Sequence, residues 1–541
     1  ITSGSIGLLL KNSGYSVTPV KCENYLNLDA GTINPIEHGD VFLCEDGTEA
    51  DMDIGSYEKF LDQNMGAVNF ITMGQIYKHV IDKERKFEYD GEDVEAIPHI
   101  TEEIIRRIQK AQQDSHANIV LIELGGTVGE YQNVLYYEAA RLMTQKYPGN
   151  VLHIHVSYVP NPPHLGEPKT KPTQLSVRTL NSLGITPDII IARSVKPLDK
   201  RRRERLSLFC NVEPEDVLTS YDVESVYEIP LILESQNITK RIADKLSFKH
   251  KRSSLTVWKK LVKRIKSKKA KQITIAIVGK YFTTGDYQLR DSYAALFDAI
   301  DHASWNKGVD CQVLWIDAER VEQDGINKHL DPNKIDGIIV PIGWGSRGAE
   351  GMIAAASFAR KLKIPYLGLC YGMQLAAIAF ARDVLGLNAA NTTENNPETP
   401  HPVVHLMPAQ EKFMKRRAYG GTMRLGSWEA IVKKGTLTWQ MYDAHNQFIN
   451  KSKGLTSERH RHRYEFNNAY IQQFEKAGCV ISARSRAENL VEIIELDRKL
   501  HPFYVGTQGH PEYKSRPIKP HPVFLEFIQA CIHRHKVVIK G

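Results

Sequence analysis

The sequence predicts an α/β protein with two doubly wound domains, each built on a parallel sheet with helices on both faces. Two observations lead to this prediction. Short apolar segments alternate with helical periods along both halves of the chain, a pattern typical of parallel sheets. The 541 residues also exceed the roughly 250–300 at which a single hydrophobic core stops growing.

Composition narrows the class of protein. Hydrophobic residues make up 42% of the chain and charged residues 25%, as in ordinary globular proteins rather than disordered or fibrous ones. No run of about 20 apolar residues and no secretory signal is visible, which favours a cytoplasmic protein without membrane contact. Seven cysteines without paired spacing favour a reducing compartment, in which one of them can serve in chemistry.

Basic residues are concentrated in two segments. The net charge is +7, and much of the excess lies in residues 200–205 and 249–271. Basic runs can bind nucleic acid, but no nucleic-acid fold signature accompanies these, so we expect no nucleic-acid partner. A solvated linker and a phosphate-binding edge are the favoured interpretations.

The predicted N-terminal domain, residues 1–248, opens on a helical period, ITSGSIGLLLKNSGYSV, followed by the strand SVTPVK. An α/β domain normally places a strand and a phosphate loop before such a helix, so we expect these to precede Ile1. The further predicted strands of this domain are NIVLIEL, NVLHIHVSYVP, DIIIARS and DVLTSY.

The rest of the chain is predicted to be a linker and a second domain. Residues 249–272 are basic, carry few large apolar residues, and are expected to be helical in part around Trp258. The second domain, residues 273–541, begins with the strand ITIAIVGKY. Its other predicted strands are CQVLWID, GIIVPIG, IPYLGLC, CVISARS, VEIIEL and FYVGTQ.

Cys370 is the first candidate for catalysis. It lies in GLCYG at 368–372, between the apolar strand IPYLG and the helical pattern MQLAAIAFAR. A nucleophile on a sharp turn from strand to helix needs small flanking residues, because neighbouring chain passes close to its strained backbone. The amides that begin the following helix also favour the thiolate. Alone, the segment is equally compatible with a buried cysteine in a glycine-rich turn.

A histidine and a carboxylate two residues apart supply possible partners for this cysteine. His510 and Glu512 follow the strand FYVGTQ. The histidine can accept the thiol proton while the glutamate fixes its tautomer and stabilises the imidazolium. The segment 343–348, GWGSRG, offers amides for the oxyanion of a tetrahedral intermediate. Each piece alone is compatible with a surface loop, but their order along the chain favours a nucleophilic active site.

Carboxylates in the first half are candidates for a metal and phosphate site. Asp51 and Asp53 lie two residues apart in an acidic segment, on one side of the chain if it is extended. Glu123 lies at the end of NIVLIEL, beside the glycine-rich segment 125–127. Mg²⁺ and phosphate are commonly held at such strand ends. Taken separately, these carboxylates are better interpreted as parts of solvated loops.

With these motifs in place, the second half resembles a class I glutamine amidotransferase domain, and more specifically that of the CTP synthase family. The segments that carry the resemblance are ANTTE (390–394), GGTMRLG (420–426), ERHRHRYEFN (458–467) and QGHPEYKSRP (508–517). The resemblance implies Cys370 as nucleophile, His510 as base and Glu512 as the residue that orients the base. It further implies that four residues hold the substrate glutamine: Gly343, Gln374, Glu394 and Arg463.

The chemistry of two of these residues suits that role. Arg463 can pair with the α-carboxylate in a two-pronged hydrogen bond, and Glu394 can accept the α-ammonium. A solvated, charged strand is the alternative interpretation of ERHRHRYE.

The first half resembles the amidoligase domain of the same family, a domain related to P-loop proteins. DGTEADMDIGSYE, KERKFEYDG, IELGGTVG and GEPKTKPTQ occur in the family's order and spacing. The resemblance thus covers nearly the whole chain. It implies a glutamine-hydrolysing ligase that converts UTP to CTP, the final step of de novo CTP synthesis. ATP would phosphorylate the uracil O4, and ammonia arriving internally from the second half would displace the phosphate.

The resemblance also implies roles for residues of the first half. The residues implied are Asp53 and Glu123 for Mg²⁺, Lys21, Asp53 and Arg193 for ATP, and Lys169, Lys171, Gln174 and Arg205 for UTP, or for CTP as feedback inhibitor. A basic loop is the alternative interpretation of KTKPTQ. Further expectations are GTP as activator of glutamine hydrolysis, a homotetramer, and filaments.

The sequence departs from the family pattern at several positions. Ile342 replaces a glycine beside the oxyanion loop, Tyr371 replaces a leucine after the nucleophile, and Gly509 replaces an aromatic residue before His510. Ile342 is expected to slow glutamine hydrolysis. In the first half, the departures are at 23–24 and 130–132.

Two alternative functions compete with the main one. A catalytically weakened homologue, acting as a filament-forming or regulatory assembly protein, would fit the departures, but the retained Cys370, His510 and Glu123 oppose it. Another amidotransferase, such as GMP synthetase, would need a different synthetase half, which KTKPTQ and IELGGTVG oppose.

Overall fold

The computed structural model describes residues 1–164, 166–269, 271–284, 287–288 and 290–538. The chain divides into two compact units. Unit 1 comprises Ile1–Leu28 and Ser56–Ile265, and unit 2 comprises Asp29–Gly55 and the chain from Lys266 onward. The segment 29–55, which the sequence placed in the first domain, thus packs with the second unit. The functional domain bounds given above stay a prediction.

The strands and helices are numbered in chain order. The strands are β1 (Val17–Glu23), β2 (Val41–Leu43), β3 (Glu49–Asp51), β4 (Phe70–Thr72), β5 (Ile119–Leu124), β6 (Ile154–Tyr158), β7 (Ile189–Ser194), β8 (Val217–Tyr221), β9 (Gln272–Gly279), β10 (Thr283–Thr284), β11 (Tyr287–Gln288), β12 (Asp310–Asp317), β13 (Gly337–Val340), β14 (Tyr366–Leu369), β15 (Ala390–Thr392), β16 (His401–Leu406), β17 (Arg424–Val432), β18 (Leu455–His462), β19 (Tyr464–Phe466), β20 (Cys479–Ser485), β21 (Val491–Leu496) and β22 (Tyr504–Thr507). The helices are α1 (Thr2–Asn12), α2 (Pro35–His38), α3 (Met52–Leu61), α4 (Met73–Arg85), α5 (Thr101–Ser115), α6 (Val134–Lys146), α7 (Lys171–Ser182), α8 (Lys200–Cys210), α9 (Ile229–Ser235), α10 (Ile238–Lys245), α11 (Thr256–Lys266), α12 (Ala294–Lys307), α13 (Ala318–Asp324), α14 (Ala349–Lys361), α15 (Tyr371–Asp383), α16 (Glu411–Lys415), α17 (Leu437–Ala444), α18 (Ile471–Lys476) and α19 (Pro522–Val538). No helix among the described residues is both long and apolar enough to cross a bilayer.

Unit 1 contains two parallel sheets of three strands, in the orders β4-β1-β5 and β6-β7-β8. The opening helix and the five strands predicted for this half are confirmed. The short strand β4 was not predicted, because FIT is too brief to show a period. Edge strands β5 and β6 are partly open to solvent: Ile122 and Val156 are exposed by 38% and 46%.

Unit 2 is organised by one nine-stranded sheet in the order β12-β9-β13-β14-β22-β21-β20-β17-β18. The strands from β12 to β22 are parallel, and those from β21 to β18 are antiparallel to their neighbours. Two large apolar clusters pack against it, one around Met352 and Phe380 and the other around Phe297 and Phe527. The predicted parallel α/β core is confirmed, and the antiparallel extension is an addition to it.

The segment 29–55 forms an antiparallel hairpin, β2–β3, within unit 2. Phe42 packs edge-on against the ring of Tyr513, with centroids 5.4 Å apart. Glu45 pairs with the ammonium of Lys514 at 3.3 Å and accepts a hydrogen bond from Ser427. Aromatic packing and partly buried polar contacts together attach the hairpin to the unit.

The basic segment between the predicted domains contains the helix α11. Trp258 is buried and donates its indole N–H to the carbonyl of Tyr227 at 2.7 Å. The lysines at 259, 260 and 263 are exposed. The helix thus buries one apolar side and leaves its charges in water, as the sequence indicated.

Candidate active site

Cys370 lies on a tight turn between β14 and α15. Its backbone φ is 52° and ψ is −99°, a conformation that non-glycine residues adopt only where the surrounding structure enforces it. The Cys370 N–H donates to the carbonyl of Thr507 at 2.7 Å. A Cβ at Gly372 would lie 1.9 Å from the carbonyl oxygen of Val340, and a Cβ at Gly368 would lie 2.7 Å from Gly372. Small residues on both sides of the nucleophile are therefore a steric requirement.

His510 and Glu512 lie together in the same unit, after β22. The Nδ1 atom of His510 is 2.7 Å from Oε1 of Glu512. The ring also stacks on Tyr513, with centroids 5.2 Å apart. With the proton on Nδ1, Nε2 is left as the basic atom, and among the described residues it has no hydrogen-bond partner. This is the tautomer that a base acting on a nearby thiol requires.

Electrostatics couple this histidine to the cysteine. Complete burial alone would lower the pKa of His510, but negative charge on Glu512 and on the sulfur of Cys370 outweighs burial and raises the pKa to about 10. Gln508 donates its side-chain N–H to the sulfur at 3.5 Å. The charge of Glu512 therefore favours the imidazolium form of His510 beside the sulfur.

A cavity of about 720 Å³ opens onto Cys370. The structure brings all four residues predicted to hold glutamine to its wall, namely Gly343, Gln374, Glu394 and Arg463. Glu394 accepts a hydrogen bond from the N–H of Gly345 at 2.8 Å, and burial raises the pKa of its carboxyl group. The cavity therefore offers both a carboxylate and a guanidinium beside the candidate nucleophile.

The guanidinium of Arg463 is held by neutral acceptors in this structure. It donates to the side-chain oxygen of Gln410 and the carbonyl of Tyr419, each at 2.5 Å, and to the hydroxyl of Thr422 at 2.9 Å. None of these three acceptors is a carboxylate. The guanidinium of Arg463 can therefore still pair with the carboxylate of a ligand.

The segment ERHRHRYE forms β18 and its continuation, and most of its charged side chains are buried. Arg459 is fully buried and donates to the carbonyl of Leu43 at 2.8 Å. Arg461 pairs with Glu49 at 2.6 Å, both side chains being at most 2% exposed. The alternative interpretation of this segment as a solvated strand is therefore wrong.

Several polar residues of the site were missed from the sequence. Arg424 donates to Glu492 at 2.8 Å and contacts the rings of His460 and His462 at 3.1 and 3.3 Å. Burial, then the charge of Arg424, lowers the pKa of both histidines well below its usual range. Lys280, directly after β9, was also missed. The sequence shows only a lysine directly after an apolar strand, and this pattern does not indicate which group the lysine binds.

Two of the departures from the family pattern have a structural explanation. Ile342 packs against the core cluster that contains Tyr293 and Phe297. A Cβ at Gly509 would lie 2.8 Å from the Cβ of Glu458 and 3.3 Å from Nε2 of His460. Close packing of β18 therefore leaves no room for a side chain before His510.

In unit 1, Lys21 and Glu123 are neighbours on adjacent parallel strands. The ammonium of Lys21 lies 3.2 Å from Glu123 and 3.1 Å from Glu23, and Tyr57 donates to Glu123 at 2.7 Å. Burial alone would raise the pKa of Glu123, but the charge of Lys21 and hydrogen bonds from Ser3 and Tyr57 are among the contributions that together lower the pKa to about 2. The carboxylate is thus charged at the carboxyl end of its strand.

Glu123 has the donor chemistry that Mg²⁺ requires. Mg²⁺ commonly binds through one or two carboxylates together with phosphate oxygens, so a dedicated protein cage is not needed. Among the described residues, no group of three or more His, Cys, Asp or Glu side chains is arranged to hold a metal. Asp53, the second predicted metal ligand, lies in the first turn of α3.

The residues predicted to bind UTP or CTP fall on α7, α8 and the loop before them. Lys171 and Arg205 both lie over the exposed ring of Phe209, at 5.4 and 5.9 Å from its centroid. Gln174 is buried, and its Oε1 has no hydrogen-bond partner among the described residues. The structure therefore places two of the cations predicted to bind UTP or CTP beside the same aromatic ring.

The remaining two predicted nucleotide residues are held by acidic neighbours. Lys169 pairs with Glu167 at 2.6 Å. Arg193, on β7, is 44% exposed and lies 3.7 Å from Asp222. Neither cation is buried, so each is accessible to a phosphate.

Comparison with known proteins gives two family matches along the chain. A family described as "CTP synthase N-terminus" matches residues 1–248, and one described as "Glutamine amidotransferase class-I" matches residues 288–530. The chain is 47% identical over 529 residues to the CTP synthase of Sulfolobus acidocaldarius, covering 97% of this chain and 96% of that protein. It is 47% identical over 533 residues to the CTP synthase of Pyrococcus abyssi, covering 98% and 95%. The CTP synthase of a Synechococcus species is 44% identical over 533 residues, covering 98% and 94%.

Proposed function

The chain belongs to the CTP synthase family, and from this premise we propose which of its residues carry out the two half-reactions. It is a glutamine-hydrolysing ligase that uses ATP, and it forms CTP by amination of UTP. The observation that supports the residue assignment best is Cys370 on its enforced turn, together with the bonded pair of His510 and Glu512.

In the proposed glutaminase reaction, the sulfur of Cys370 attacks the side-chain carbonyl carbon of glutamine, and its thiol proton passes to Nε2 of His510. The oxyanion that forms accepts a hydrogen bond from the amide of Gly343. The His510 imidazolium gives its Nε2 proton to the departing ammonia, which leaves a thioester. His510 then takes a proton from water as the water attacks, releasing glutamate and the thiolate. Glu512 holds the Nδ1 proton throughout and stabilises the imidazolium.

Substrate glutamine is proposed to bind through its two charged groups, the α-carboxylate and the α-ammonium. Arg463 takes the α-carboxylate and Glu394 takes the α-ammonium, while Gly343 and Gln374 contact the side chain. Support comes from the common cavity of these residues with Cys370. The raised pKa of Glu394 also fits, because a cationic ligand would restore charge to a buried carboxyl group.

In the proposed synthetase half, Lys21, Asp53 and Arg193 bind ATP. Lys169, Lys171, Gln174 and Arg205 bind UTP, or CTP as feedback inhibitor. Asp53 and Glu123 hold Mg²⁺, which when bound neutralises charge on the triphosphates. The pairing of Lys171 and Arg205 over Phe209 supports the pyrimidine nucleotide assignment. Internal passage of ammonia to this half stays a prediction.

The remaining proposals rest on family resemblance alone. We propose that GTP activates glutamine hydrolysis, that the protein is a homotetramer able to form filaments, and that it acts in the cytoplasm. The alternative of a weakened, purely regulatory homologue has no support, since the relatives that match nearly the whole chain are CTP synthases.

One assay tests the proposal as a whole. CTP formation from UTP, ATP and Mg²⁺ is measured with glutamine plus GTP in one sample and with ammonium in another. We expect CTP in both. CTP with ammonium only would contradict the glutaminase assignment, and no CTP in either sample would contradict the synthetase assignment.

A further inference from the structure

The peptide group of Gly345, in the middle of the glycine loop at 343–348, is bonded on every polar atom. Its carbonyl accepts from the ammonium of Lys280 at 2.6 Å and from the hydroxyl of Tyr371 at 2.9 Å. Its N–H donates to Glu394 at 2.8 Å. A loop made largely of glycine loses much conformational entropy when it is ordered, so such bonds determine whether it has one conformation.

The same two side chains also enclose Gly343. A Cβ at Gly343 would lie 3.1 Å from the ring of Tyr371 and 3.2 Å from the Cδ atom of Lys280. Lys280 additionally donates to the carbonyl of Trp344 at 2.6 Å. Three consecutive loop residues, 343 to 345, are thus fixed by one ammonium and one phenol.

Both side chains are buried and keep the protons that these bonds require. Lys280 is 5% exposed and Tyr371 is 1% exposed. Burial lowers the pKa of Lys280 to about 8, partly offset by Glu394, and burial raises the pKa of Tyr371. Asn395 donates to the Tyr371 hydroxyl at 2.8 Å, which directs the phenol proton toward Gly345. The ammonium also lies 4.9 Å from the centre of the Tyr371 ring.

We propose that Lys280 and Tyr371 are positioning residues that hold the oxyanion loop at 343–345 in its reactive conformation. They bind the carbonyl groups of Trp344 and Gly345, while the N–H of Gly345 donates to Glu394. The amide of Gly343, which lines the cavity beside Cys370, is thereby positioned for the oxyanion. The inference rests on the proposed glutaminase function and adds two residues to it. Neither residue touches the reacting atoms.

The proposal also explains two departures from the family pattern as a pair. Ile342 removes a glycine directly before the loop, and Tyr371 adds a phenol directly after the nucleophile. The phenol supplies a hydrogen bond to the loop that a leucine at this position could not make. We therefore infer that Tyr371 helps to order the loop of this chain.

The first test removes a single oxygen atom. Tyr371→Phe keeps the ring against Gly343 and loses only the hydroxyl. We expect kcat for glutamine hydrolysis to fall about 3- to 10-fold, the usual effect of one neutral hydrogen bond, with KM for glutamine changed less than about 2-fold. Tyr504→Phe is the matched control, because its buried hydroxyl donates to the Ala356 carbonyl at 3.2 Å. It should lower thermal stability without changing kcat.

The second test separates charge from packing. Lys280→Met should lower kcat by about 30-fold or more, because two charge-assisted bonds are lost. Lys280→Arg should recover kcat to within about 5-fold of the wild type if the guanidinium reaches the same carbonyls. Lys307→Met, which removes an ammonium paired with Glu526 at 3.3 Å, should leave kcat unchanged.

Wild-type protein and Cys370→Ala are assayed beside these variants. These two proteins distinguish a failure of the proposed glutaminase function from a failure of the inference about Lys280 and Tyr371. A wild type without glutamine hydrolysis, or a fully active Cys370→Ala, would overturn the glutaminase function and with it this inference. Glutamine hydrolysis that depends on Cys370, combined with an unchanged kcat in folded Tyr371→Phe and Lys280→Met, would overturn the inference alone. A rise in KM at constant kcat would also overturn it, since the residues would then act in glutamine binding.

Discussion

In unit 2, Cys370, His510 and Glu512 are each at most 4% exposed, and His510 is hydrogen-bonded to Glu512. In unit 1, Lys171 and Arg205 are exposed and lie over the aromatic ring of Phe209. A buried charge is costly unless its partners are built into the protein, whereas an exposed cation is stabilised by water until an anion arrives. The candidate site in unit 2 is therefore preformed, in the sense that its charged groups hold one another, whereas the two cations of unit 1 are open to an anion.

The largest effect is expected when the proposed base of unit 2 is removed. His510→Gln should lower glutamine-driven CTP formation by at least on the order of 10⁴-fold, because the thiol then has no proton acceptor. Ammonium-driven formation should be unchanged. His501→Gln, which alters another buried histidine bonded to a backbone carbonyl, serves as control. Equal loss with both nitrogen donors would refute the division of labour.

Removal of the carboxylate behind that base should have the next largest effect. Glu512→Gln should lower kcat for glutamine hydrolysis on the order of 10³-fold. Glu512 raises the pKa of His510, so its loss lowers that pKa, and the imidazolium loses its proton at a lower pH. The alkaline limb of the kcat–pH profile should therefore move to lower pH. An unmoved limb would show that His510 is not the titrating group.

Substitutions at a buried and at an exposed ion pair measure how much each pair contributes to the free energy of unfolding. Glu49→Gln leaves Arg461 buried without its carboxylate, and we expect a loss of about 3 kcal/mol. Glu429→Gln breaks an exposed pair with Arg486 and should cost less than about 1 kcal/mol. Tryptophan fluorescence in urea reports the loss, since five of the six tryptophans lie in unit 2 and only Trp258 lies in unit 1. Equal losses would contradict the preformed character of unit 2.

The smallest effect is expected for the exposed cations of unit 1. Lys171→Ala should raise KM for UTP about 10-fold, as for loss of one charge-assisted contact, with kcat and thermal stability nearly unchanged. Lys259→Ala, an exposed lysine on α11, is the matched control and should leave KM for UTP unchanged. A large drop in stability for Lys171→Ala would show that its site is also preformed.

Sequence patterns predicted the features that are formed by residues close together in the chain. The parallel strands and the turn at Cys370 follow from apolar runs and flanking glycines, and the predicted strands of both halves are confirmed. The pair His510 and Glu512 was recognisable because the two residues are only two positions apart in the sequence.

Contacts between distant segments were not recognisable in this way. Arg461 and Glu49 are 412 positions apart, and nothing in either segment indicates the other. The same holds for Lys280 and the glycine loop, 64 and 65 positions away. Charged residues in β18 suggested exposure by composition, whereas their buried partners come from a hairpin early in the chain. Such partners become visible only in three dimensions.

The most direct test of the central claim is CTP formation by Cys370→Ala with each nitrogen donor. We predict no CTP from glutamine and a wild-type rate from ammonium, because only the preformed site in unit 2 has lost its nucleophile. Cys479→Ala, a substitution at another buried cysteine, should support both reactions. Glutamine-driven CTP formation by Cys370→Ala, or loss of the ammonium-driven reaction as well, would contradict the assignment.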